Sequence, residues 1–285
     1  MNPLLYMSDV PDHNSSYDAA LAVGVRAARR GAECIRTHAN RQNGVRVKGR
    51  NDFVTDADEA AQEAIVDVFQ DAMPGVPVLA EEGADPDAQP SAIDGRRWIV
   101  DPIDGTTNFM HRVPPYAVSI ALQEEDEIVV GVVLNVPHDE LFTAVADHGL
   151  QLNGQPAGVS DTDAFSEALL ATGFPYRRFE HTEQYLDVLG TILRDARSVR
   201  RHGAAAIDLA WLACGRFDGF FETGLSPWDV AAGVLLVREG GGRVTDYHGT
   251  DDELAPLFDQ QVCATNGSVH PALLQHLAPM QDIRL

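Results

Sequence analysis

The carboxylates best placed to do chemistry together are those of Asp101 and Asp104. They lie in the run Trp98-Ile-Val-Asp-Pro-Ile-Asp-Gly-Thr-Thr-Asn-Phe109. An apolar strand leads to Asp101, Pro102 breaks the hydrogen-bond ladder of that strand, and Asp104 follows. Two carboxylates at a strand end, with the Ile103 carbonyl between them, are the oxygen ligands that hard divalent cations prefer. The run therefore predicts a metal site.

The segment that follows Asp104 is suited to binding an anion. Gly105 permits a sharp turn, and a helix that begins at Thr106 would have first amides without intrahelical partners. We expect the Gly105 and Thr106 amides to bind a phosphate. The alternative is an Asp-Gly turn between two strands, but the Asp-Pro before it and the Thr-Thr after it favour the metal and phosphate interpretation.

Two more acidic sites follow apolar segments in a similar way. Glu81 and Glu82 come directly after the short apolar strand predicted over 77–80. Asp229 lies in the first turn of a helix predicted from Pro227, and Trp228 can pack to fix the start of that helix. Each site alone is compatible with an ordinary solvated carboxylate. The Pro-Trp-Asp context favours an anchored one.

Four motifs of the chain resemble those of the inositol monophosphatase family. They are Asp52-Phe-Val-Thr-Asp-Ala-Asp58, Glu81-Glu82, Asp101-Pro-Ile-Asp-Gly-Thr106 and Trp228-Asp-Val-Ala-Ala-Gly233, in family order and at family spacing. The resemblance implies a mixed α+β and α/β fold, layered as the α-β-α-β-α sandwich of the sugar phosphatases. It also implies a homodimer and a Mg²⁺-dependent, Li⁺-sensitive hydrolysis of sugar-alcohol phosphates, with inositol monophosphate as the first candidate substrate.

The resemblance implies a role for each matching residue in binding two or three Mg²⁺ ions and activating water. The metal ligands would be Glu81, Asp101 and the Ile103 carbonyl for one ion, and Asp101, Asp104 and Asp229 for a second. Asp58 and Thr106 would orient and deprotonate the attacking water. Glu82 would hold a third, water-linked ion, and the Gly105 and Thr106 amides would bind the phosphate.

The alcohol part of the substrate would meet a separate wall. The resemblance places Gly203, Ala204 and Glu222 on it, with Asp104 and Asp229 also near the hydroxyl groups. Other members of the family often carry Ser or Thr where this chain has Ala204. A side-chain hydroxyl contact is therefore absent at that position.

Two pairs of arginines near this wall leave two candidate substrates. Arg200 and Arg201 precede Gly203, and Arg177 and Arg178 lie 23 residues before them. Salt bridges to surface carboxylates explain them as well as function does. As a functional site, Arg201 and its neighbours would bind a second phosphate. The substrate would then be fructose 1,6-bisphosphate, alone or together with inositol monophosphate, as in archaeal relatives of this family.

The elements that must position these residues divide the chain into two halves. A polar tail over 1–16 precedes a helix predicted over 17–37, and a second helix is predicted over 55–71 with a capping box from Thr55 to Asp58. The half over 17–165 is expected to be an antiparallel, metal-binding sheet. The half over 166–285 alternates strands and helices and carries Asp229 and the substrate wall. We expect one compact unit.

The composition bears on partners and location. The formal net charge is −22, and Lys48 is the only lysine among 21 basic residues. So negative a surface repels nucleic acid and anionic membranes, which favours a small phosphate ester as the partner. The scarcity of lysine is typical of halophilic proteins, whose self-repulsion is screened by molar salt. Three widely spaced cysteines predict free thiols in a reducing cytoplasm.

A different class of function is that of an interaction protein. Some bacterial relatives in the family bind the transcription machinery. The full set of expected metal ligands argues instead for a working enzyme.

Overall fold

The computed structural model describes residues 13–39, 45–49, 52–83, 95–174, 180–252 and 260–283. The helices in these ranges are α1 (His13–His38), α2 (Asp56–Ala72), α3 (Thr106–His111), α4 (Thr182–Asp195), α5 (Ala205–Ala213), α6 (Pro227–Glu239) and α7 (His270–Leu277). Within the described ranges, no helix has the length and apolar character needed to cross a bilayer.

Fourteen strands are found in the same ranges and form three sheets. They are β1 (Val45–Gly49), β2 (Asp52–Thr55), β3 (Val78–Ala80), β4 (Arg96–Asp104), β5 (Ala117–Glu124), β6 (Glu127–Asn135), β7 (Glu140–Val145), β8 (Leu150–Leu152), β9 (Gln155–Ala157), β10 (Leu169–Thr172), β11 (Ser198–Arg200), β12 (Gly219–Thr223), β13 (Arg243–Thr245) and β14 (Gln261–Thr265). Among the described strands, β1 and β2 pair only with each other.

The larger sheet has seven strands in the order of the chain, from β3 to β9. Strands β3 and β4 are parallel, and every later pair is antiparallel. Both faces of its centre are buried, because Ala117 and Ala121 of β5 face one core while Val118 and Ile120 face another. A strand covered on both faces reads as a continuous apolar run rather than as an alternating one.

The smaller sheet has five strands in the order β11-β10-β12-β14-β13. Strands β11, β10 and β12 are parallel, whereas β14 is antiparallel to both of its neighbours. Parallel neighbours end at the same edge of a sheet. The residues that follow β11, β10 and β12 therefore lie side by side.

Helices cover both sheets and fill the space between them. Helices α1 and α2 pack on the outer face of the larger sheet around Trp98 and Phe69, whose rings stack with centroids 4.4 Å apart. Helices α5 and α6 lie between the two sheets, and α4 and α7 cover the far face of the smaller one. The predicted α-β-α-β-α layering is confirmed.

Two elements differ from their predicted bounds. Helix α1 begins at His13, four residues before the predicted start at Tyr17. Adding a residue to an existing helix needs no new nucleus, so the helix extends past its apolar face. Strand β4 does not end at Pro102: the ladder is irregular between Asp101 and Asp104, and pairing resumes where Asp104 meets Ala117. The missing N–H of proline interrupts the ladder without ending the strand.

Candidate active site

The parallel pair β3 and β4 delivers two carboxylates to one edge of the larger sheet. Ala80 pairs with Val100, and the Glu81 amide donates to the Val100 carbonyl over 3.1 Å. Glu81 and Asp101 are the next residues of the two strands. The two carboxylates are close, because Glu81 raises the pKa of Asp101 more than any other charged group does.

Asp229 reaches the same point from the central layer. One carboxylate oxygen each of Asp101, Asp104 and Asp229 lies within 4.8 Å of the other two. The backbone fixes each of them: the Ile103 amide donates to Asp101 Oδ1 over 2.9 Å, and the Ser226 amide donates to Asp229 Oδ2 over 2.7 Å. Asp104 Oδ2 accepts from the Ala206 amide, at the start of α5, over 2.9 Å.

The cluster concentrates negative charge where water is nearly excluded. Asp101 is 2% exposed and Asp104 is 6% exposed. Burial raises the pKa of Asp101 well above its ordinary value, and Glu81, Asp104 and Asp229 add to that rise. The pKa of Asp104 is raised in the same way, by burial and then by Asp229. Several negatively charged carboxylate oxygens held close together are suitable ligands for a small divalent cation. The residues present therefore fit Mg²⁺.

Asp58 and Thr106 form a second polar group beside the cluster. Asp58 is fully buried, and its Oδ2 accepts from the Thr55 amide over 2.8 Å and from the Thr55 hydroxyl over 2.5 Å. This is the predicted capping box of α2, with Ala57 also donating to the Thr55 hydroxyl. The Thr106 hydroxyl lies 3.2 Å from Asp58 Oδ1 and 3.1 Å from the Ile103 carbonyl.

The pKa of Asp58 reflects two opposed effects. The net pKa is about 6, above the ordinary 3.8, because burial raises it more than the hydrogen bonds from Thr55 lower it. Glu82 contributes to the rise, which places Glu82 within electrostatic reach of Asp58. Asp58 is therefore mostly ionised at neutral pH and can accept a proton.

The turn at Gly105 connects the acidic cluster to the substrate wall. Gly105 has φ of +90°, a left-handed conformation that favours glycine, and Thr106 begins α3 directly after it. The Asn108 amide nitrogen donates to the Pro115 carbonyl over 2.8 Å and to the His202 carbonyl over 2.7 Å. Helix α3 is thereby fixed against the segment that contains Gly203.

The expected substrate wall lies on the smaller sheet and on α5. A side chain at Gly203 would lie 2.5 Å from Arg201 Nη1, and Ala204 is buried against Gly105. Burial raises the pKa of Glu222 well above its ordinary value, with Asp208 and Asp229 adding to the rise. Glu222 thus belongs to the same electrostatic group as the acidic cluster.

The arginine pairs separate in the structure. The Arg201 guanidinium lies over the Phe174 ring, 5.5 Å from its centroid, near the wall. Arg200 instead donates to the Ser198 hydroxyl over 2.6 Å and to the Val199 carbonyl over 3.2 Å. Arg177 and Arg178 lie outside the described residues.

Comparison with known proteins agrees with this geometry. The family model described as "Inositol monophosphatase family" matches residues 16–282. The chain belongs to the inositol monophosphatase family.

Three relatives show how much of the family chain is shared. Nus factor SuhB of Escherichia coli (strain K12) is 42% identical over 264 residues, which is 90% of this chain and 95% of that protein. Inositol-1-monophosphatase of Mesorhizobium japonicum is 40% identical over 259 residues, again 90% and 95%. The crystal structure of extragenic suppressor protein suhB from Bartonella henselae has a TM-score of 0.83 at 37% identity and covers 91% of this chain and 98% of its own.

Membership of the inositol monophosphatase family supports phosphomonoester hydrolysis, and the family is generally Mg²⁺-dependent. The relatives carry different names, one for a phosphatase and one for a Nus factor. The substrate therefore does not follow from membership alone.

The sequence analysis did not predict some of the residues that hold the site in place. Gln62 is bonded to the Glu82 backbone at both the amide and the carbonyl, over 3.0 and 2.9 Å. Its spacing of four residues from Asp58 on α2 was the available signal. Asn108 lies inside the Thr-Thr-Asn run, but its contact with the His202 carbonyl depends on tertiary structure. The pair of His202 and buried Asp208, 2.7 Å apart, had no sequence signal.

Proposed function

We propose that the protein hydrolyses phosphate monoesters with two or three Mg²⁺ ions and that inositol monophosphate is its main substrate. The observation that carries the proposal is the convergence of Asp101, Asp104 and Asp229, whose carboxylate oxygens lie within 4.8 Å of one another. Like charges so close and so buried are stable together when a cation neutralises them.

The oxygen atoms at this edge of the larger sheet, together with those of Asp229, would be the ligands of the metal ions. Glu81, Asp101 and the Ile103 carbonyl would hold one, Asp101, Asp104 and Asp229 a second, and Glu82 a third through water. Bound Mg²⁺ supplies charge neutralisation for the phosphate and lowers the pKa of water. The Gly105 and Thr106 amides would hold the phosphate oxygens beside it.

Asp58 and Thr106 would orient and deprotonate the attacking water. The Thr106 hydroxyl has one hydrogen and two acceptors in reach, Asp58 Oδ1 at 3.2 Å and the Ile103 carbonyl at 3.1 Å. When that hydrogen points to Asp58, the Thr106 oxygen is left to accept from water. The water proton can then pass through Thr106 to the Asp58 carboxylate, which the Thr55 bonds keep in place.

The alcohol part would lie against Gly203, Ala204 and Glu222, with Asp104 and Asp229 within reach of its hydroxyl groups. These groups offer carboxylate and carbonyl acceptors, which hydroxyl donors match. Helix α5 supports both sides, since its Ala206 amide holds Asp104 and its start follows the Gly203 wall.

Phosphate release from inositol 1-phosphate tests the proposal. The wild type should release phosphate with Mg²⁺ and stop when the metal is chelated. Asp101→Asn should lower kcat by at least about 10³-fold, because the remaining ligands hold the ions poorly. Asp126→Asn, in the exposed turn between β5 and β6, is the matched control and should leave turnover unchanged. Near-normal turnover by folded Asp101→Asn would contradict the metal assignment.

A second candidate substrate is fructose 1,6-bisphosphate, and the position of Arg201 favours it. The Arg201 guanidinium lies over Phe174 and beside Gly203 of the expected substrate wall, where it would be available to a distal phosphate. Arg201→Ala should then raise KM for the bisphosphate and barely change KM for inositol 1-phosphate. Arg200→Ala is the control, since Arg200 is engaged by β11 itself. Equal effects on both substrates would reject a distal phosphate site.

The proposal extends to partners and location. We propose a homodimer in the cytoplasm that acts on a small phosphate ester and not on nucleic acid, because the net charge of −22 opposes binding to a polyanion. Light scattering measures the oligomeric state. A gel-shift titration with RNA at low salt measures nucleic-acid binding, and a shifted band at micromolar protein would contradict that part.

A further inference from the structure

Three parallel strands bring Arg201, Gly173 and Glu222 to the same edge of the smaller sheet. The spatial order is β11, β10 and β12, and Thr172 of β10 pairs with Phe221 of β12. If the register between β10 and β12 continues for one more residue, Gly173 lies opposite Glu222. Arg201 is the residue directly after β11. Ligands of open α/β sheets bind at the carboxyl ends of parallel strands. Gly173 therefore occupies the middle of a ligand-binding edge.

The Glu222 carboxylate fills the space that a side chain at residue 173 would need. A Cβ atom on Gly173 would lie 1.8 Å from Glu222 Oε1, 2.0 Å from its Cδ and 2.4 Å from Oε2. Gly173 is not one of the glycines with positive φ, so other residues can adopt its backbone conformation. A side chain at this position would therefore have to displace the Glu222 carboxylate, whereas the backbone conformation does not require glycine.

Hydrogen bonds fix the backbone against which Glu222 rests. The buried Tyr185 of α4 donates from its hydroxyl to the Gly173 carbonyl over 2.6 Å. The Thr172 hydroxyl donates to the Phe221 carbonyl over 2.7 Å and so joins β10 to β12 just below this point. These bonds hold the backbone under the carboxylate in position without a ligand.

The electrostatic environment of the Glu222 carboxylate also depends on its position over β10. The positive charge of Arg201 acts on Glu222, against the repulsion from Asp208 and Asp229. Arg201 is itself stacked on Phe174, the residue after Gly173. A Glu222 side chain pushed away from Gly173 would change its distance from Arg201 and from Asp208 and Asp229.

We propose that Gly173 is a positioning residue for substrate recognition, because its missing side chain lets Glu222 lean across β10 and present its carboxylate to the hydroxyl groups of the alcohol. The inference rests on the proposed function for the nature of the alcohol. It deepens that function by assigning alcohol specificity to the contact between residues 173 and 222.

A double-mutant cycle tests the inference. Gly173→Ala, Glu222→Ala and the double variant are compared with the wild type on inositol 1-phosphate and on 4-nitrophenyl phosphate, which has no aliphatic hydroxyl groups. Gly173→Ala should lower kcat/KM for inositol 1-phosphate by about tenfold to a hundredfold and leave 4-nitrophenyl phosphate almost unchanged. In the Glu222→Ala background the same change should have no further effect. Gly190→Ala on α4 is the matched control, since a Cβ there would lie 3.7 Å from Arg194 Nη1, an ordinary van der Waals contact.

Several results would overturn the inference. Additive effects of the two changes would show that Gly173 acts independently of Glu222, and equal losses on both esters would show that it affects the shared phosphate site. If Gly173→Ala does not fold but the double variant does, the steric contact is confirmed. Glu222→Gln then tests recognition: a loss selective for inositol 1-phosphate supports it, and a loss on both esters rejects it.

The failure of the proposed function would be recognised separately. In that case the wild type would release no phosphate from either ester. The contact is then measured by thermal unfolding of the same four proteins. Gly173→Ala should lower the Tm of the wild type and leave that of Glu222→Ala unchanged, whereas an equal decrease in both backgrounds would reject the contact.

Discussion

Protonation of His270 should make the protein lose stability in mild acid. His270, at the start of α7, has no solvent exposure, and burial is the largest cause that lowers its pKa, to about 4 from an ordinary value of 6.5. Its two ring nitrogens each lie 3.0 Å from a threonine hydroxyl, Nε2 from Thr245 and Nδ1 from Thr265.

The hydrogen bonds of these threonines favour a neutral ring. The Thr245 hydroxyl hydrogen is engaged by the Asp246 carbonyl over 2.7 Å, so Thr245 can only accept from Nε2–H. The Thr265 oxygen already accepts from the Gly267 amide, so its hydrogen is directed to Nδ1. A second proton on the ring would place two hydrogens between Nδ1 and Thr265. We assign the tautomer from this network.

The sign and size of the effect follow from the two pKa values. The unfolded chain takes up the proton near pH 6.5 and the folded chain only near pH 4, so the unfolded state binds more protons between these values. The stability due to neutral His270 is complete above pH 6.5 and is lost as pH falls toward 4. The full difference is about 3 kcal/mol, of which about 2 kcal/mol is lost by pH 5.

Denaturant unfolding at pH 7 and pH 5 measures this loss. The free energy of unfolding is compared for the wild type, His270→Asn and the exposed-site control His111→Asn. The decrease from pH 7 to pH 5 should be about 2 kcal/mol smaller in His270→Asn than in the other two. Comparing differences removes the contribution of groups such as Asp58, which titrate in all three proteins. Parallel pH profiles in His270→Asn and the wild type would refute the reasoning.

Three further predictions concern salt, catalysis and packing. The Tm should rise by several degrees from dilute buffer to molar KCl, because salt shortens the screening length of a chain with net charge −22; an unchanged or lower Tm in KCl would contradict the halophilic assignment. Thr106→Val should lower kcat about 100-fold with little change in KM in steady-state assays, since its hydroxyl, 3.2 Å from Asp58 Oδ1, would link Asp58 to the attacking water; a change confined to KM would assign Thr106 to binding. Gly233→Ala should cost about 1–3 kcal/mol in denaturant unfolding, because its Cβ would lie 2.6 Å from that of Leu209. Gly190→Ala is its control and should be neutral or slightly stabilising, and equal effects of the two would reject the packing argument.

Local patterns in the sequence predicted the parts of the structure that depend on neighbouring residues. The capping box from Thr55 to Asp58 is present, and α6 begins at Pro227 as predicted. These features are determined within one turn of helix or a few residues of strand. Motif spacing supplied the remaining step, because the resemblance to a family grouped Asp229 with Asp101.

Long-range contacts could not be predicted in this way. Strands β11 (Ser-Val-Arg) and β13 (Arg-Val-Thr) contain a single apolar residue each, so they lack the apolar run that marks the equally short β3. The contact between Gly173 and Glu222 depends on the register of β10 against β12, which no local signal specifies. The start of α1 at His13 was also missed, because a helix can continue beyond its buried face.

The central helices described above have a consequence for how folding and ligand binding are connected. Helix α6 carries Asp229, and α5 provides the amide that holds Asp104 of β4. A cation shared by Asp104 and Asp229 would join chain segments 125 residues apart and would act as a removable cross-link between the sheet and the central layer. Because such a cross-link binds only the folded chain, resistance to unfolding should vary with the concentration of free Mg²⁺. A bound metal would then be a structural element of the whole sandwich as well as a cofactor.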